Sequence, residues 1–531
     1  MFKTTHLNLR NAGTLNPLVL DYLEKNKQLS PFYEFFPDAH GFSELLTSGP
    51  YKEFNREQLV QILMHQSQQV QNTSEQTVLN IQTLKEKNTF TVTTGHQLCL
   101  FTGPLFFIYK LISTIKLASD LKKQFPNYNF VPVYWMASED HDFEEVASFQ
   151  VNGKTITWKS EQKGAVGGFK TGELKSLLPD LAEALGNSEN SKQLLALFEN
   201  AYLKHSNLGL ATRYLVNELF GDLGLICLDA NHTAFKQQIK SLFRKDLFEN
   251  VPHDLVNTST RALEKLNYSI QVSSRPINCF YLDDQLRARI EKNGNRFDLV
   301  GTGRSFTAEE LNAIIEKNPE RISPNVVLRP VYQQIILPNI AYLGGPGELA
   351  YWLEFKEMFN HLQVQFPILM PRNFISIVDK PTQAKITKLQ FSTTDFFKPE
   401  QELIKDHLVK IHAVFDLDRE AEQLSKFYEG ITERTSAVDV TLARHVQAAR
   451  QRAMNQLRTV AAKTGKALKK KAETSIQQIT TVKHTLFPNA MPQERHENFS
   501  TFYLKYGPSF FKTLEQVIDP FKIDQKILIE E

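Results

Sequence analysis

The stretch from Thr89 to Ala137 constrains this chain more than any other. TFTVTT, residues 89–94, alternates with the period of a strand and stops at Gly95. Pro104 then stands where its fixed φ suits the first turn of a helix. Leu105, Ile108, Ile112 and Ile115 recur along one helical face. FVPVYWMA, residues 130–137, is a nearly continuous apolar run of the kind buried on both faces of a parallel sheet. Strand, helix and strand in this order predict a βαβ unit, with the right-handed crossover that such units almost always have. The fold class that follows is α/β.

The remaining pattern extends this core. The first 85 residues look helical, with Leu59, Ile62 and Leu63 at helical spacing. Asn152-Gly153, between FQV and TITW, predicts a two-residue hairpin turn. LICLDA at 225–230 and NCFYLDD at 278–284 read as strands, within a region large enough to be an insertion with its own small sheet. QIILPNIAYL, then Gly344-Gly345-Pro346-Gly347, then a helix from Glu348 to about Leu362 repeat the strand–turn–helix order. VQFPILMPRNFISIV is expected to supply a last pair of core strands. From residue 383 to 487 glycine almost vanishes, and Leu424, Phe427, Ile431, Leu442, Val446, Leu457 and Val460 approximate the apolar seam of an antiparallel coiled coil.

A chain of 531 residues exceeds one core and predicts three or four structural units. Its net charge of +2 points neither to nucleic acid nor to a membrane surface. Three scattered cysteines (Cys99, Cys227 and Cys279) argue against a disulfide framework and against a CxxC metal site, so no metal is expected. MFKTTHLNLRNAG does not read as a signal peptide, and no apolar run approaches the roughly 20 residues of a membrane span. The expected location is the cytoplasm. A basic run without carboxylates lies between Arg444 and Lys471, but no aromatic interleaving or groove-reading motif accompanies it, so nucleic-acid binding is not expected.

Three constellations could carry chemistry. TTGHQLCLFTGP, residues 93–104, leaves a strand and enters a helix, where unpaired N–H groups favour phosphate, carboxylate or nucleotide. Gly95 and Gly103 would let a ligand approach, and His96 and Gln97 would orient it or move a proton. The plainer alternative is a tight turn with His96 bonded to its own loop, and Cys99 an inert buried thiol. SEDHDFEEV, residues 138–146, follows the second strand, placing Glu139, Asp140, His141 and Asp142 at the carboxyl end of the sheet, where ligands of open α/β sheets bind. Against that, Asp142 and Glu145 are spaced as a helix cap. AYLGGPGELAYW, residues 341–352, could form the opposite wall, with Glu348 receiving an ammonium group; compensation of the helix dipole explains the same glutamate.

These segments, with PLVLDYLEKNKQLSPFY near the start and SPNVVLRPVYQQIILPNIAYLGGPGELAYW and PILMPRNF further on, resemble the bacillithiol biosynthesis cysteine-adding enzyme family across essentially the whole chain. The resemblance implies a Rossmann-like core of the nucleotidyl-transferase and aminoacyl-tRNA synthetase type, inserted connecting-peptide segments, and a C-terminal helical coiled-coil domain that forms a homodimer. The divisions expected are core over 1–147 and 326–382, insertion with partial return to core over 148–325, coiled coil over 383–510, and a terminal segment over 511–531. The implied reaction joins the carboxylate of L-cysteine to the amine of glucosaminyl-malate, with ATP or another nucleotide as activator. Gly95, His96, Gln97, Thr102 and Gly103 would line the nucleotide or carboxylate pocket, and Gly344, Gly345 and Glu348 would close it. Asp140, His141 and Asp142 would orient the amine or take its proton, and Arg329 and Arg372 would hold the malate carboxylates. A ligase of the same fold with another amine acceptor, or a non-enzymatic binding or scaffold protein, stands as the alternative.

Overall fold

The computed structural model describes residues 2–48, 53–411 and 415–531. Its chain divides into two compact units: residues 6–375 with 493–526, and residues 1–5 with 376–492 and 527–531.

The first unit is built on a five-stranded parallel sheet. Its strands are β1 (Thr89–His96), β2 (Asn129–Met136), β3 (Ile226–Asp229), β4 (Asn339–Gly344) and β5 (Ile368–Pro371), side by side in the order β5-β4-β1-β2-β3. Register aligns their carboxyl ends: His96 lies beside Met136, Met136 beside Asp229, and Thr94 beside Leu343. The expected βαβ unit is present, with α1 (Phe106–Gln124) between β1 and β2.

Alternate side chains explain the unbroken apolar runs. Phe90, Val92, Ala341 and Leu343 join one buried cluster with Leu117 and Leu121 of α1. Val131, Val133, Trp135 and Tyr342 join a second with Tyr332 of α2 (Arg329–Ile336) and Leu349 of α3 (Pro346–Leu353). β2 and β4 are thus apolar on both faces, as a sheet covered on both sides requires, while the second face of β1 buries Thr91 and Thr93, both bonded to Asn339.

Several expectations are corrected here. QIIL is not strand: Gln333 to Ile336 end helix α2, and the strand starts only at Asn339, after Pro338. The expected helix to Leu362 breaks into α3 and Lys356–Leu362. VQFPILMPRNFISIV supplies one core strand, β5; Phe374–Val378 joins a different, three-stranded sheet with Gln525–Glu530 and Phe2–Leu7. LICLDA belongs to the core as β3, whereas the Cys279–Asp283 strand belongs to a separate five-stranded antiparallel sheet with Leu286–Asn293, Arg296–Leu299, Ser305–Phe306 and Ile322–Pro324. Asn152 and Gly153 both have positive φ, 48° and 75°, in the hairpin their pairing signalled.

The observed division also differs from boundaries at 383, 510 and 511, because residues 493–526 return to the first unit. Arg372 anchors that return: its guanidinium grips the Glu494 carboxylate through two hydrogen bonds of 2.8 and 2.6 Å, with both side chains buried. The second unit carries a helical hairpin, α4 (Asp418–Ser436) and α5 (Leu442–Lys471), with no buried residue in either helix.

Candidate active site

The aligned carboxyl ends of β1, β2, β3 and β4 open onto a cavity of about 440 Å³. This is where ligands of open parallel sheets bind, because the turns that follow the strands converge there. Trp135, Tyr332, Tyr342, Tyr351 and Phe280 give it aromatic walls. Polar groups reach it from four turns and from inside helices.

The second glycine-rich turn supplies the best-defined group. Glu348 accepts hydrogen bonds from the Lys110 ammonium (2.6 Å), the Tyr342 hydroxyl (2.5 Å) and the Gly345 N–H (2.8 Å). Lys110 rises from α1, is 1% exposed, and also donates to the Gly95 carbonyl. Burial pushes the Glu348 carboxyl up, but the Lys110 charge and these hydrogen bonds outweigh it and hold it below the usual range. Glu348 is therefore an ionised group with its charge already matched.

Asp140 is the second fixed carboxylate. It accepts the Gln97 amide at 2.8 Å and the His141 N–H at 2.7 Å, with the Arg287 guanidinium 3.9 Å away. Burial would raise its pKa, yet the bonds from His141 and Gln97 and the Arg287 charge hold it well below the ordinary carboxylate range. Such a group attracts a cation but is too weak a base to take a proton near neutrality. Glu139 lies beside it, bonded to Ser323 (2.5 Å) and to the fully buried Lys236 (2.7 Å).

Arg329 completes the charged set. Nη1 donates to Gln333 at 3.1 Å, while Nη2 is buried with no hydrogen-bond partner. The guanidinium stacks 5.3 Å from the Tyr342 ring and 5.8 Å from Trp135. A Cβ at Gly95 would lie 3.3 Å from the Tyr342 hydroxyl and 3.4 Å from Nη1, so the strand end packs closely against both. A buried guanidinium with an unmet donor is a strong attractor for a carboxylate or phosphate.

Of the residues singled out in the sequence, Gly95, His96, Gln97, Glu139, Asp140, Arg329 and Glu348 line this cavity. The others do other work. Thr102 and Gly103 belong to a turn in which Phe101, Thr102 and Gly103 have consecutive positive φ of 47°, 72° and 62°. Asn498 donates to the carbonyls of Phe101 (2.8 Å) and Gly103 (2.6 Å), and the Leu105 N–H is taken by the Glu497 carbonyl (2.7 Å). The anion site expected at this helix entrance is thus filled by the protein's own C-terminal segment.

His96 stacks on Phe107 at 4.7 Å, and burial with the Lys110 charge pushes its pKa down to about 3. It stays neutral and is a poor general base. Burial pushes the Cys99 thiol up to about 12, so it is inert. Asp142 is exposed and caps Phe143–Val146 through the Glu145 N–H, the capping alternative. Gly344 and Gly345 shape the turn: a Cβ on Gly344 would come within 3.0 Å of the Glu348 Cβ. Arg372 cannot serve a substrate carboxylate, because Glu494 already occupies both arms of its guanidinium. His141 lies beside the cavity, its Nδ1 accepting from Arg287 at 2.9 Å, so its neutral ring carries the proton on Nε2.

Lys110, Lys236 and Arg287 escaped the sequence reading as members or supports of the site. Lys110 had one visible signal, a lysine between Ile108 and Leu111 on an otherwise apolar stretch. Arg287 had none, since its neighbours in the cavity come from Ser138–Asp140 and Pro324–Val326, far away in the chain. Among the described residues no cluster of three or more His, Cys, Asp or Glu could hold a metal ion, and no helix is long and apolar enough to cross a membrane.

Comparison with known proteins places these features in a family. Residues 2–373 match the profile described as bacillithiol biosynthesis BshC, N-terminal Rossmann-like domain, and residues 375–530 match its C-terminal coiled-coil domain. A protein of Christiangramia forsetii named "Putative cysteine ligase BshC" is 40% identical over 99% of both chains. Proteins of the same name from Flavobacterium johnsoniae and Cytophaga hutchinsonii are 37% and 36% identical, over 99% and 98% of this chain and 99% and 97% of their own.

Proposed function

This chain belongs to the bacillithiol biosynthesis BshC family, and we propose that it is the ligase that joins the carboxylate of L-cysteine to the amine of glucosaminyl-malate. One observation carries the reading: carboxylates and guanidiniums of fixed charge line a single aromatic-walled cavity at the carboxyl ends of the sheet. An amino acid is a zwitterion and needs both signs. Asp140 suits its ammonium, and Arg329, with its unmet Nη2, suits a carboxylate. Trp135 and Met136 offer an apolar, polarisable wall for a thiol.

Amide formation needs an activated carboxylate, which ATP or another nucleotide would supply. The aromatic walls suit a base, and Arg329 and Arg287 suit its phosphates. Asp140 holds the amine in place rather than deprotonating it, and His141, with Nδ1 occupied by Arg287, presents an N–H as donor. The exposed Phe427 and Val460 on the α4–α5 hairpin support a homodimer through the coiled coil.

The test is turnover of the purified chain with L-cysteine, glucosaminyl-malate and ATP, with the thiol product read by mass spectrometry. Asp140→Asn and Glu348→Gln each remove a charged hydrogen bond worth ~2–3 kcal/mol, so kcat/KM falls on the order of 30- to 100-fold. Product from other amino-sugars but not from glucosaminyl-malate would move the assignment to another acceptor. No product with any amine, under conditions that keep the chain folded, would end the ligase reading.

A further inference from the structure

Beside the main cavity runs a groove of about 590 Å³ on the outer face of the antiparallel sheet. The alternation of the Leu286–Asn293 strand builds it: Arg287, Arg289 and Glu291 share one face, while Ala288 and Ile290 enter the core. Phe280 stands opposite Arg289 on the neighbouring strand, and the Arg287 guanidinium lies 4.1 Å from its ring. Arg275, from the preceding loop, lines the same groove with His141.

The charge of this groove is unbalanced. Glu291 serves two guanidiniums, 3.1 Å from Arg289 and 3.9 Å from Arg275, and the contact with Arg289 Nε lacks hydrogen-bond alignment. Arg287 faces Glu139, which is itself paired with Lys236 at 2.7 Å, and Asp140 no nearer than 3.9 Å, and spends its N–H groups on neutral acceptors: His141, Ser323 and the Pro324 carbonyl. Asp298, opposite Glu291, lies outside the groove lining and accepts from Asn293. Phe280, Arg287, Asn325 and Val326 line both groove and cavity, so the two adjoin at these residues.

We propose that this groove is an anion subsite in which Arg275, Arg287 and Arg289 hold a multiply charged phosphate or dicarboxylate arm of a ligand whose body occupies the main cavity. The inference rests on the ligase reading for what the body is, but not for the binding itself. Guanidiniums present paired N–H donors that match carboxylate and phosphate oxygens, and Arg287 at the junction would touch both parts of one ligand. A polyphosphate and a dicarboxylate share this chemistry.

Calorimetric titration of the full chain at low salt, with inorganic pyrophosphate and separately with L-malate, tests the subsite and identifies its source. Tight pyrophosphate with weak malate marks a polyphosphate arm, and the reverse marks a dicarboxylate. Arg275→Ala/Arg289→Ala should weaken the preferred probe about 10-fold or more. Glu291→Gln frees two guanidiniums and should strengthen it about 3-fold, which a purely structural role for these arginines would not do. If the double variant does not fold, the Glu291→Gln result decides alone. Failure of both probes to bind, or affinities unchanged in the folded variants, overturns the subsite. Turnover is read separately: probe binding without product sinks only the ligase reading, and product with unchanged probe affinities sinks only the subsite.

Discussion

The two glycine-rich turns of the first unit look alike as sequence and serve opposite ends. TTGHQLCLFTGP and AYLGGPGELAYW each leave a core strand and enter a helix. The helix-entering half of the first is closed from outside: Asn498, Glu497 and Tyr202 bond its backbone at Phe101, Gly103 and Leu105, leaving only Gly95, His96 and Gln97 on the cavity. The second stays open on the cavity, and its Glu348 is matched by Lys110 from the helix that the first turn starts. Glycine and a helix entrance therefore do not define a ligand site. What matters is whether another part of the chain has already claimed the exposed N–H groups and charges.

The arginines near these turns carry the same contrast to its largest expected effect. Arg372, whose N–H bonds the Gly344 carbonyl, is paired in the dark with Glu494. Arg372→Ala would strand that carboxylate and cost ~3–5 kcal/mol, read as a lower urea midpoint. Arg329→Ala removes mainly ring stacking and should cost about 1 kcal/mol. Equal losses would make both arginines structural and erase the distinction.

Next in size is a pH effect at the end of α3, the helix that the open turn begins. Glu354 is fully buried and accepts N–H bonds from Gln271 (2.6 Å) and Val272 (3.1 Å). Burial, only partly offset by those bonds, pushes its pKa up to about 7. The folded chain then holds a proton that the unfolded chain has released, so stability is greatest below the ordinary carboxylate pKa and falls as pH rises toward 7. The loss is roughly 3 kcal/mol, from a shift of about 2.5 units at 1.36 kcal/mol each. Denaturation of wild type and Glu354→Gln at pH 5 and pH 8 checks it: the stability difference between the two pH values should shrink by about 2.5 kcal/mol in the variant, since part of the loss falls below pH 5.

The smallest effect compares the glycines themselves. In Gly103→Ala the new Cβ would sit 2.5 Å from the Cys99 Cβ at a φ of +62°, for a cost of about 2 kcal/mol. Gly345 has φ −74°, and its Cβ would meet the Glu348 carboxylate at 3.4 Å and Arg372 Nε at 3.9 Å, both ordinary contacts, so Gly345→Ala should stay within about 0.5 kcal/mol. Matching melting temperatures for the two variants would mean that the closed turn is not held as tightly as its contacts imply.

Much of the fold was legible because its signals are local. Alternation and apolar run length identify β1 and β2, Pro104 marks the approach to α1, and Asn152-Gly153 marks its hairpin turn. QIIL was misread because a short apolar run fits strand and buried helix equally, and only its packing beside Tyr332 decides. The site was half legible. Gly95 ends a strand, and Gln97, Asp140 and Glu348 follow strands within a few residues, so the sheet's carboxyl end locates them. Lys110, Lys236 and Arg287 come from a helix interior, a distant helix and another sheet, and no local pattern announces them.

The sequence by itself determined the parallel core, the helical hairpin and the family, since each rests on periodicity or on ordered motifs spread along the chain. Only the tertiary structure decided which charged groups remain available to a ligand. Burial and pairing set that, and both depend on residues hundreds of positions apart: Glu494 silences Arg372, Asn498 closes the first turn, and Lys110 fixes Glu348 as a carboxylate at the edge of the cavity.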